Sequence, residues 1–224
     1  MSKYKVFIAC DSKKVSDVKK VIKYSQNNNL KIGYKFGLEF LNSKNGRKFI
    51  LKHKNKITFG DYKLADIPNT CASTIKAVKD LKFNYITIHI SAGLEALKAA
   101  KKVSGTTKLI GVTILTSLSN KTLKEIGFQK DLKKLVLHQA KLAMKANLDA
   151  IVCSPHEIKT VKKVFNKEII TPGVRFASDN ANDQKRVMSP KNAFLNGATS
   201  IVMGRSITNG NLKKNIQKLI KELS

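Results

Sequence analysis

Eight short apolar runs, each followed by a stretch with helical character, constrain this chain more than any other feature. The runs are Lys5–Asp11, Leu30–Phe36, Ile57–Leu64, Phe83–Ile90, Lys108–Leu115, Leu148–Ser154, Glu168–Val174 and Ser200–Ser206. They are continuously apolar rather than alternating, the pattern of strands buried on both faces of a parallel sheet. Val15, Val18, Val21 and Ile22 place one helix over Val15–Tyr24. The other predicted helices are Leu38–His53 (interrupted at Asn45-Gly46), Thr70–Lys79, Gly93–Val103, Lys121–Ile126, Asp131–Ala146, His156–Phe165, Pro190–Leu195 and Asn211–Leu223. This alternation predicts an α/β fold, a single (β/α)8 barrel over residues 1–224. No G-x-G-x-x-G follows the first run, which argues against a dinucleotide fold.

Charge narrows the function. The net charge is +28, a balance that suggests nucleic acid, a membrane surface or an anionic small molecule as partner. The lysines are spread through nearly every helix, there is no Trp, and Arg occurs only at 47, 175, 186 and 205. Nucleic-acid surfaces favour arginine forks and stacked aromatics, so the lysines read as a solvated coat. No apolar run reaches the roughly 18 to 20 residues of a membrane span. The first residues carry no signal-peptide pattern, so a cytoplasmic protein is expected. Cys10, Cys71 and Cys153 are odd in number and lie in apolar surroundings, as buried thiols do. The four histidines have no metal-ligand spacing, and no metal or cofactor is expected.

Barrel sites lie at the C-terminal ends of the strands. Those ends carry Asp11, a lysine of the second strand, Asp61 and Lys63 with Asp66 beyond, then Thr116, Arg175 and Gly204-Arg205. Periodicity leaves Lys31 and Lys35 open. Asp11 also suits a helix N-cap. Along a strand Asp61 and Lys63 share a face, and two carboxylates around Lys63 would hold it charged. Gly204 admits an anion to backbone N–H groups, and Arg205 offers paired donors to phosphate at the barrel's usual phosphate position. The small polar stretch 176–183 reads as a loop beside that position, with the character of a lid.

The run Asp61-Tyr62-Lys63-Leu64-Ala65-Asp66-Ile67-Pro68-Asn69-Thr70 resembles the D-x-K-x-x-D-I-P-N-T signature of the orotidine 5'-phosphate decarboxylase family. Other pieces follow in the family's order: A-C-D ending at Asp11, L-K-I-G around Lys31, V-T-I-L-T-S around Thr116, T-P-G-V-R ending at Arg175, D-Q-K-R around Gln184 and M-G-R ending at Arg205. The L-K-I-G match favours Lys31 over Lys35, and Ser119 is an alternative to Thr116. Cys10, and Gly60 before Asp61, depart mildly from the family pattern.

The resemblance implies decarboxylation of orotidine 5'-monophosphate (OMP) to UMP and CO2 in pyrimidine biosynthesis, without cofactor. Lys31, Asp61, Lys63 and a partner-supplied Asp66 would form an alternating charge array, with Lys63 as proton donor. Asp11 would hold the ribose, Ile67 and Thr70 would help bind substrate, and Thr116 would face the pyrimidine. Arg175, Gln184, Gly204 and Arg205 would take the phosphate. Asp66 and Thr70 would be shared across a homodimer, with no nucleic-acid or membrane partner. Two alternatives remain: a metal-dependent sugar-phosphate decarboxylase or aldolase, which needs an acidic ligand ending the second strand, and a basic nucleic-acid-binding barrel.

Overall fold

The structure, a computed structural model, describes residues 4–26, 28–177, 179 and 188–224. Eight parallel strands close into a barrel in sequence order: β1 Lys5–Cys10, β2 Lys31–Phe36, β3 Ile57–Leu64, β4 Tyr85–His89, β5 Lys108–Val112, β6 Ala150–Val152, β7 Glu168–Thr171 and β8 Ser200–Met203. β1 pairs with β8 to complete the ring. The helices are α1 Val15–Tyr24, α2 Leu38–Leu41, α3 Gly46–Leu51, α4 Pro68–Ala77, α5 Leu94–Val103, α6 Asn120–Glu125, α7 Leu132–Lys145, α8 Ile158–Val161, α9 Pro190–Leu195, α10 Arg205–Thr208 and α11 Leu212–Leu223. The (β/α)8 expectation holds.

The barrel is filled, not hollow. Phe7, Ala9, Phe59, Tyr85, Ile110, Ala150, Ile170 and Val202 form the interior cluster. Phe7 meets Phe59 and Tyr85 edge-on, at ring-centroid distances of 5.2 and 5.4 Å. Gly33 makes room for this: a Cβ there would lie 2.7 Å from the Phe7 ring. Below these rings an ionic cluster closes the N-terminal end. Lys5 Nζ donates to the Tyr85 hydroxyl at 2.6 Å and pairs with Glu168 at 3.0 Å, and Lys108 pairs with the same carboxylate. The outer faces of the strands pack on the helices in the larger core. Cys10, Cys71 and Cys153 are buried free thiols.

Two expectations need correction. The helix predicted over Leu38–His53 with an interruption at Asn45-Gly46 breaks earlier, after Leu41, into α2 and α3, and α3 starts at Gly46 itself. Asn42 and Ser43 side chains take the Leu38 and Phe40 carbonyls at 2.8 Å each and turn the chain. Gly46 then packs so tightly that a Cβ would lie 2.0 Å from the Phe40 carbonyl oxygen. The last three strands also end earlier than their apolar runs. Residues 153–154, 172–174 and 204–206 leave the ladder as loop or helix start. Ser154 begins a capping box with Glu157, and Gly173 has φ +74°. These departures turn apolar sequence into the rim of the barrel mouth.

Candidate active site

The C-terminal mouth holds a cavity of about 300 Å3. Asp11, Lys35, Asp61 and Lys63 line one part of it, and Gly173, Arg175, Gly204, Arg205 and Ser206 another. Val112, Ile114, Leu115, Val152, Cys153, Pro172 and Val202 add apolar wall, and Thr116 is also in the lining. The charged groups of five separate strand ends thus meet in one place.

Register decides between the two candidate lysines of β2. Lys31 is level with Lys5 at the start of the strand, and Lys35 is level with Ala9 and Phe59. Residues 31, 33 and 35 share the inward face, so alternation does not separate them. Height does: four residues of strand span about 13 Å. Lys31 is exposed at the barrel bottom. Lys35 Nζ reaches Asp11 at 3.0 Å and Asp61 at 3.1 Å. The expectation for Lys31 is therefore corrected to Lys35.

The result is a chain of alternating charges, Asp11–Lys35–Asp61–Lys63. Asp61 Oδ2 accepts from both lysines, with Lys63 Nζ at 2.8 Å. The Asp61 side chain is only 10% exposed, against 33% for Lys63. Burial pushes the Asp61 carboxyl up, but the Lys35 and Lys63 charges outweigh it and hold it below the usual carboxylate value. Burial likewise opposes the charge of Lys35, yet Asp61 and Asp11 raise its pKa above that of an ordinary lysine. His89, half-buried at the end of β4, is held below the ordinary histidine value, first by burial and then by the charge of Lys63.

Lys63 does not reach Asp61 by simple strand alternation. Its backbone is left-handed, with φ +49°. A non-glycine residue pays about 1–3 kcal/mol for such a conformation and keeps it only where its surroundings enforce it. The β3–β4 ladder breaks here: Gly60 pairs with Ile86, and the next pair is Leu64 with Ile88. Thr87, fully buried between those partners, fills the gap. Its hydroxyl accepts the Lys63 N–H at 2.8 Å and donates to Asp61 Oδ1 at 3.1 Å.

Gly37 is a second residue that sequence reading passed over. It follows β2 directly, and a Cβ there would lie 2.2 Å from Asp11 Oδ1. Only glycine lets that carboxylate settle over the end of the strand. Asp11 does not cap α1, whose N-cap is Lys14 without a side-chain bond. The visible signal for Thr87 was one hydroxyl inside the apolar strand Y-I-T-I-H.

The remaining predicted residues divide. Arg175 is buried at the cavity, and the chain ends around it are tied together. Val174 bridges Met188, and the Arg175 N–H donates to the Met188 carbonyl at 3.0 Å. Gln184 and most of the expected lid lie outside the described residues. Arg205 is exposed on the rim as the first residue of α10. Asp66, Ile67 and Thr70 are exposed and are not among the lining residues. The Asp66 carboxylate instead accepts the Ile67 N–H at 2.7 Å, so within one protomer Lys63 has one carboxylate beside it rather than two.

The mouth bears on the metal-dependent alternative too. The strand that would supply an acidic ligand ends in Phe36 and Gly37, and Glu39 is exposed on α2. Among the described residues, no group of three or more His, Cys, Asp or Glu side chains could hold a metal ion. Among them, too, no helix is long and apolar enough to cross a membrane.

Comparison with known proteins agrees with this geometry. Residues 4–218 match the family described as orotidine 5'-phosphate decarboxylase / HUMPS. The chain is 44% identical over 197 residues to the orotidine 5'-phosphate decarboxylase of a Wolbachia from Brugia malayi, covering 85% of this chain and 87% of that one. It is 40% identical over 220 residues to the enzyme of the same name from Prochlorococcus marinus strain MIT 9215, covering 92% and 90%. The crystal structure of orotidine 5'-phosphate decarboxylase from Lactobacillus acidophilus superposes with a TM-score of 0.83, at 30% identity and 98% coverage of both chains. With residues 4–218 matched by the family and the two relatives covered over 87% and 90% of their lengths, this chain belongs to the orotidine 5'-phosphate decarboxylase / HUMPS family.

Proposed function

We propose that this protein decarboxylates OMP to UMP and CO2, with Lys63 as the proton donor. The observation that carries the proposal is the Asp61 carboxylate held between two lysines at the mouth of a cavity that also has two arginines in its lining. The names of the relatives support the same activity. In the reaction the C6–carboxylate bond breaks, CO2 departs, and the electron pair stays on C6 in the plane of the ring. An ammonium fixed beside C6 stabilises that charge and then transfers its proton to it; water reprotonates the lysine. Asp61, itself held by Lys35, aims the Lys63 side chain before substrate arrives, so the field acts as the carbanion forms. Asp11, more than half exposed, has a carboxylate face left for a ribose hydroxyl. Loss of the orotate absorbance on mixing the purified protein with OMP, unaffected by EDTA, is the direct test. Unchanged absorbance with active, folded protein would reject the assignment.

Arg205 is expected to act on the phosphate, remote from the reacting carbon. It follows Gly204 at the end of β8, where barrels of this kind bind phosphate. Arg205→Ala should lose roughly 2 to 5 kcal/mol of transition-state binding for OMP, the range for truncating one member of a desolvated charge pair. The phosphate-free nucleoside orotidine should be almost unaffected. The ratio of kcat/KM for the two substrates, in parent and variant, separates the outcomes. Equal losses on both would assign Arg205 to the fold or to the pyrimidine end.

The reading also completes the charge array from a second subunit. Asp66 is exposed and turned from the cavity of its own chain, which supports a role across a homodimer, with Thr70 beside it on α4. Mixing Lys63→Ala with Asp66→Ala chains, each inactive alone, should restore activity, because one hybrid site carries neither lesion. Absence of recovery after demonstrated subunit exchange would show that the site is complete within one chain.

A further inference from the structure

We infer that Thr87 is a positioning residue, which sets the height and direction of the Lys63 ammonium against Asp61. Its hydroxyl bonds to both residues of this pair. It accepts the Lys63 backbone N–H at 2.8 Å and donates its own proton to Asp61 Oδ1 at 3.1 Å. The first contact takes up an N–H at the break in the β3–β4 ladder, at a residue held with φ +49°. The second fixes the carboxylate plane, so that the other oxygen, Oδ2, faces Lys35 and Lys63 together. One buried hydroxyl therefore couples the lysine backbone to the carboxylate that receives its side chain. A valine of the same shape would leave a buried N–H and a buried carboxylate oxygen both without this partner.

Two readouts test this, and only the kinetic one rests on the decarboxylase reading. The first is the rate at which acetic anhydride at trace level acylates each lysine, read by mass spectrometry. Loss of the Asp61 contact frees the Lys63 amine to meet the reagent, so in Thr87→Val the labelling of Lys63 should rise about threefold or more, with lysines other than Lys35 and Lys63 unchanged. The second is steady-state kinetics with OMP: kcat should fall about thirtyfold or more while KM moves less than about threefold, as for a group acting on the transition state. Thr87→Ser, which keeps the hydroxyl, should restore both readouts. If Thr87→Val fails to fold, Thr87→Cys keeps the volume with a weak donor and carries the same test. Unchanged labelling of Lys63, faster labelling of every lysine alike, or failure of serine to restore the parent behaviour would each overturn the inference. So would unchanged kcat in a protein that turns over OMP. A protein that does not turn over OMP yet shows the selective rise at Lys63 would reject the proposed reaction and retain the role of Thr87.

Discussion

Lys63→Ala is expected to lower kcat for OMP by about a thousandfold or more, a loss of roughly 4 kcal/mol of transition-state stabilisation. Lys63 is the lysine of the array with the more accessible side chain, so it is the one able to meet a substrate atom. The barrel should stay folded. Alanine removes the charge but leaves Lys35 on Asp61 at 3.1 Å, so the buried carboxylate keeps a counter-ion. The strained left-handed backbone at residue 63 gains nothing from the substitution, since alanine also disfavours positive φ. The check is kcat in single-turnover and steady-state assays, with the thermal transition measured alongside. A folded variant that kept more than about a tenth of parental kcat, under about 1.4 kcal/mol of loss, would remove Lys63 from the proton-transfer step.

Lys35→Ala should be the second large effect, and Lys31→Ala its control. Lys35 bridges two carboxylates, and its side chain is 12% exposed. Without it, Asp11 and Asp61 face each other with only Lys63 to compensate, and the buried Asp61 becomes costly to keep ionised. A fall in kcat/KM of at least about a hundredfold, near 2.7 kcal/mol, is expected for OMP. A loss of stability should accompany it, because removing one member of a buried pair strands the other. Lys31→Ala, exposed and at the opposite end of the strand, should remain within about 0.5 kcal/mol of the parent in stability, with kcat/KM unchanged. Reversal of the two results would mean that the register of β2 against β1 is shifted by four residues. This pair therefore tests the site and the fold at once.

The same two lysines mark where sequence reasoning ran out. The eight apolar runs and the helical segments between them carried the architecture, because a continuously apolar strand needs cover on both faces and alternation with helices supplies it. Strand ends were also legible to within a few residues, which was enough to gather Asp11, Asp61, Lys63, Arg175 and Arg205 at one mouth. Cysteine burial followed from apolar neighbours in the same way.

Periodicity reports the face of a strand and says nothing about height along the barrel axis. Lys31 and Lys35 share a face, so only the pairing of β2 with β1 and β3 could place one at the bottom and the other beside Asp61. The local L-K-I-G match pointed the wrong way for that reason: it concerned neighbours in sequence, whereas the choice depends on partners 24 and 26 residues away. The left-handed turn at Lys63, the Thr87 hydroxyl that fills the broken ladder, and the absent side chain of Gly37 over Asp11 are likewise contacts between strand ends distant in sequence. Local residue pattern set which groups reach the mouth of the barrel. The closing of the sheet set which of them touch, because inter-strand register exists only once the strands have paired.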